Sequence, residues 1–88
     1  MKKFVEVIHL LERIDRKCLV ENPTAEELDK MRMKFAQITV FGNMMLNDKD
    51  IQVWEDESGN LAIIDRLWKE AAVFYAGKKY IVDEVKEA

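Results

Sequence analysis

Residues 61–76 read LAIIDRLWKEAAVFYA, and whether they form one helix or two strands decides the fold. Taken as a helix, the pairs Asp65/Arg66 and Lys69/Glu70 share one face, while Leu61, Ile64, Leu67, Trp68, Ala71, Phe74 and Tyr75 share the other. That is the pattern of an amphipathic surface helix. Gly77 then falls where a helix C-terminus favours a left-handed residue, and Lys78 and Lys79 suit the negative end of its dipole. Taken as strands, LAIID pairs back on IQVWE (51–55) across the SGN turn, and VFY with YIVDEV makes a second hairpin. The helical template accounts for more positions, so the sequence predicts a helix near 61–76.

Upstream, TAEELDKMRMKFAQITVFGNMML (24–46) predicts a long helix that opens with Thr24 and Glu27 as a capping box. Leu28, Met31, Phe35, Ile38, Gly42 and Met45 fall on one stripe, with Gly42 marking a tight helix crossing. Met33, Val40, Phe41 and Met44 form a second stripe, which needs either the C-terminal half of the chain or a second copy to cover it. Before it, Phe4, Val7, Ile8, Leu11, Ile14 and Cys18 predict a first amphipathic helix, and the tight link at Glu21, Asn22 and Pro23 joins the two as a helical hairpin. The fold expected is therefore all-α, a small three-helix domain with helices near 3–20, 24–46 and 61–76 and a short C-terminal segment. The alternative is α+β, with 51–85 forming β-hairpins. Ile51, Val53 and Trp54 are too few to specify a period and lean towards an extended segment; the tail, KKYIVDEVKEA, fits a short helix or an edge strand.

Eighty-eight residues, 49% hydrophobic and 35% charged, suit one folded domain spanning 1–88 rather than a disordered tail. The lone Cys18 excludes an internal disulfide and is read as a buried structural thiol. Glu6, His9 and Glu12 interrupt the N-terminal apolar residues before a signal-peptide core can form, and no apolar run approaches the roughly 18 residues a membrane span needs. A soluble, cytoplasmic protein is expected. The net charge is −3, and residues 48–60 carry one basic and five acidic side chains, so a nucleic-acid surface, which needs a basic stripe, is disfavoured.

Catalytic constellations are missing. Glu6 and His9 have the i, i+3 spacing of carboxylate-bridged metal helices, but with Glu12 they lie away from the Phe4/Val7/Leu11 stripe and read as a solvated face. The acids of 48–57 lack the order of a calcium loop, and no phosphate loop, nucleophile elbow or zinc spacing occurs. The expectation is no enzyme, no metal and no cofactor. The chain reads instead as a protein–protein interaction module, an adaptor or inhibitor that self-associates, with a nucleic-acid-binding transcriptional regulator as the alternative. Trp54 is the expected apolar anchor, ringed by Asp48, Asp50, Glu55, Asp56 and Glu57 as an acidic loop that steers a partner with a basic surface. Met33, Val40, Phe41 and Met44 are the expected self-association residues.

Overall fold

The structure, a computed structural model, describes residues 4–12 and 16–85. A short helix α1 (Phe4–Glu12) and a 3-10 turn (Arg16–Cys18) precede a long helix α2 (Ala25–Phe41). Five strands follow: β1 (Asn43–Asn47), β2 (Ile51–Glu55), β3 (Leu61–Asp65), β4 (Glu70–Tyr75) and β5 (Lys78–Glu84). They form one antiparallel sheet in the order β1-β2-β3-β4-β5, so each strand pairs with its neighbour in sequence. The all-α three-helix expectation and its helical hairpin are overturned, and the architecture is α+β. Of the predicted first helix, Lys3 and residues 13–15, Arg13 and Ile14 among them, lie outside the described residues, as do residues 1, 2 and 86–88.

The reason lies in the middle of 61–76. Asp65 accepts a hydrogen bond at Oδ1 from the Trp68 N–H (3.0 Å), and Lys69 takes a left-handed φ of 56°, which closes a turn between β3 and β4. The polar pairs that looked like a helix face are thus the turn and its flanks. Pairing across it runs Leu61↔Phe74, Ala62↔Val73, Ile63↔Ala72 and Ile64↔Ala71. Ala76 and Gly77 both take positive φ, 52° and 77°, as a two-residue hairpin of the primed type demands. Gly77 is therefore left-handed as expected, but it turns β4 into β5 and does not end a helix.

Helix α2 begins as its sequence dictates, with the Glu27 N–H donating to Thr24 Oγ1 (3.1 Å) and the Glu27 side chain returning to the Thr24 N–H. It ends at Phe41 and not near 46, because Gly42 departs from the helix as its C-cap, and Met44, Met45 and Leu46 belong to β1. The sheet carries a cover on each face. On one, Met31 of α2, with Leu28 and Phe35 beside it, packs on Ala71, Val73 and Val82. On the other, Val7 of α1, with Leu11 beside it, packs on Met45, Leu46, Val53, Leu61 and Ile63. Full burial of an aliphatic side chain contributes roughly 1.5–3 kcal/mol, so Val7, Val53, Val73 and Ile38 are main contributors to the core.

Gly42 is fixed by close approach, its φ of −79° being open to any residue. A Cβ there would collide with the Ile38 carbonyl oxygen and stand 2.8 Å from the Glu55 carbonyl oxygen, both backbone atoms that cannot swing aside. Gly42→Ala should destabilise the protein by roughly 1–3 kcal/mol, read as a lowered urea midpoint; an unchanged midpoint would show slack between α2 and β2.

Candidate functional site

Helix α2 places one stripe on the sheet and turns the other outward. Met33 is 66% exposed, Val40 69%, Phe41 85% and Met44 39%, so nothing among the described residues covers the second stripe. On the helix, Met33, Gln37, Val40 and Phe41 follow at spacings that keep them on one side. The chain passes through Gly42 into β1, which brings Met44 to the same end. Contiguous exposed apolar surface of this kind is what an interface needs and an isolated surface avoids.

Beside Phe41 lies an open depression of about 610 Å³, lined by Lys34, Gln37, Ile38, Phe41, Gly42 and Asn43 on one side and by Asp56, Glu57 and Ser58 of the β2–β3 turn on the other. The site thus juxtaposes a projecting aromatic ring, a cation and two carboxylates. The Lys34 ammonium lies 5.3 Å from the centroid of the Tyr75 ring of β4, within range of a cation–π contact.

Asp56 holds the turn together. Its Oδ1 accepts from the Ser58 and Asn60 N–H groups (2.9 Å each) and its Oδ2 from Asn60 Nδ2 (2.9 Å). Burial pushes its carboxyl up, but the hydrogen bonds from the Asn60 side chain and from the two backbone N–H groups, with the charge of Lys34, outweigh this and hold it below the ordinary 3.8. Gly59, at φ 82°, completes the turn.

The expected acidic loop is divided by β2. Asp48 and Asp50 sit in the β1–β2 turn and Asp56 and Glu57 in the β2–β3 turn, at opposite ends of a five-residue strand that spans roughly 15 Å. Glu55 ends β2, where it is half-buried. Trp54 is not in a loop: it stands in β2 between Met44 of β1 and Ala62 of β3, half-buried on the face that α2 crosses. Only Asp56, Glu57 and Phe41 of the expected site residues line one depression, with Met44 and Trp54 as cross-strand neighbours nearby. Lys34 and Gln37 went unnoticed in the sequence, although the spacing 30, 34, 37, 41 places them beside the apolar stripe. His9 is exposed and 3.5 Å from Glu12, and among the described residues no group of three or more His, Cys, Asp or Glu side chains could hold a metal ion. Among the described residues, no helix is long and apolar enough to cross a membrane.

No family model, no curated protein and no solved structure matches this chain. The geometry of the surface therefore carries the functional reading alone.

Asp56 also makes a pH prediction. Its folded pKa is the depressed one, so its stabilisation is fully present above pH 3.8 and is lost as pH falls through the folded value. Asp56→Ala should lower stability by about 1–2 kcal/mol at neutral pH, and the gap to the native sequence should shrink as the pH falls below 3.8 in urea titrations. A gap independent of pH would show that the charge of Asp56 plays no part.

Proposed function

We propose that the chain is a non-catalytic protein-binding module that self-associates, and that the occupant of the α2 surface is a second copy of itself. The observation that carries this is Phe41, 85% exposed and standing next to a depression whose rim holds Lys34 on one side and Asp56 and Glu57 on the other. Such a surface is self-complementary. In a two-fold arrangement each copy offers an apolar projection to the other's recess and a cation to the other's carboxylates.

The sheet edges support the same face. The edge at β5 carries Lys78, Lys79, Asp83 and Glu84, and Val20 N–H donates to the Lys79 carbonyl (2.9 Å) beside a parallel bridge at Leu19. The edge at β1 has the uncharged sequence Asn43-Met44-Met45-Leu46-Asn47. Charge and cover are the usual protections of an edge strand, and β1, next to the α2 stripe, carries no charge of its own. The alternative, a nucleic-acid-binding regulator, draws on a helical hairpin and on the basic residues Lys2, Lys3, Arg13, Arg16 and Lys17; among the described residues one long helix packed on a sheet stands in place of the hairpin.

Sedimentation equilibrium at tens of micromolar should give about twice the chain mass of 10.3 kDa. Phe41→Asp should return the single-chain mass with an unchanged circular dichroism spectrum, because an exposed side chain leaves the core intact. A native protein that sediments as one chain, or a Phe41→Asp variant that unfolds, would contradict the proposal.

A further inference from the structure

The depression beside Phe41 has walls of opposite sign: Lys34 stands on the α2 wall, and Asp56 and Glu57 on the wall made by the β2–β3 turn. The two carboxylates are not equivalent. Asp56 is half-buried and committed within the chain, its Oδ1 accepting from the Ser58 and Asn60 N–H groups and its Oδ2 from Asn60 Nδ2. Glu57 is exposed and carries its carboxylate on a stem one methylene longer, so it is the acid that can reach a second molecule. On the facing wall Lys34 is half-buried, with its ammonium within cation–π range of Tyr75. A lysine held in this way has less rotamer freedom to lose on meeting an anion than a fully solvated one.

The way two copies meet decides what each wall faces. A half-turn about an axis running along the depression, between its walls, exchanges the walls: Lys34 of each copy then faces Glu57 of the other, twice over. A half-turn about an axis running across the walls keeps their order and sets Lys34 against Lys34 and Glu57 against Glu57, which like-charge repulsion disfavours. The first arrangement also carries Phe41, on the Lys34 wall, to the partner's 56–58 wall. The apolar contact then supplies affinity, and the charges fix the register.

We propose, on the basis of the self-association set out above, that two copies meet about the axis along the depression and that Lys34 of each pairs with Glu57 of the other, which makes these two residues the determinants of self-recognition.

The test is sedimentation equilibrium of the native chain and of charge-reversed variants. Glu57→Lys should weaken dimerisation about tenfold or more at low salt and less at about 1 M salt. Asp50→Lys makes the same change of charge at an exposed position beyond the other end of β2 and should leave dimerisation within about twofold of native. Lys34→Glu should act as Glu57→Lys does, and the double variant, whose net charge is that of the native chain, should return to within about threefold of native. A native chain that sediments singly removes the self-association and the pairing with it. A native dimer that Glu57→Lys and Asp50→Lys weaken alike, or that the double variant weakens further than either single change, contradicts the pairing alone. If Lys34→Glu does not fold, the comparison of Glu57→Lys with Asp50→Lys still decides.

Discussion

The rest of the structure depends on β3 and β4 being buried on both faces. Leu61, Ala62 and Ile63 in one strand and Ala71, Ala72 and Val73 in the other are consecutive buried residues, so the centre of the sheet has no side that can face water. A strand pair of that composition is stable only between two covers. Helix α2 supplies one, and the alanines beneath it let it approach closely. The N-terminal segment supplies the other through Val7 and Leu11, with Val20 and Leu19 tied to the backbone of Lys79 at the far edge.

The two covers are unequal, and the proposed association surface arises from that inequality. A helix as long as α2 has more apolar residues than a five-stranded sheet can bury on one side, and the surplus, Met33, Val40 and Phe41, looks outward. Among the described residues, the short α1 covers the other face through Val7 and Leu11, over Met45, Leu46, Val53, Leu61 and Ile63. Surplus apolar surface suits a macromolecular partner.

The start of α2 and its buried stripe were legible in the sequence because capping and a three-to-four-residue period are local signals: Thr24, Glu27, Leu28, Met31, Phe35 and Ile38 all act as read. Met33, Val40 and Phe41 of the second stripe were legible for the same reason, whereas Met44, read onto the same helix, belongs to β1. The identity of 61–76 was not, because a strand buried on both faces loses its period of two, and polar pairs four residues apart imitate a helix face when they flank a turn. Gly42 was recognised as a point of close contact but assigned to a helix crossing, since the carbonyl of Glu55 that crowds it comes from a strand not foreseen. The acids of 48–57 looked like one cluster because the strand between them was read as part of a loop. The Lys79–Glu70 ion pair was out of reach altogether, for the two meet only through the pairing of β4 with β5.

The pairing of β3 with β4 is thus the claim on which everything else stands, and nuclear Overhauser contacts in the native chain measure it directly. The account predicts cross-strand backbone contacts between Ala62 and Val73 and between Ile64 and Ala71, with extended-chain sequential contacts on either side of the turn at 66–69. Contacts between residues three apart running unbroken from 61 to 76, with no cross-strand contacts, would mean a helix and would contradict it.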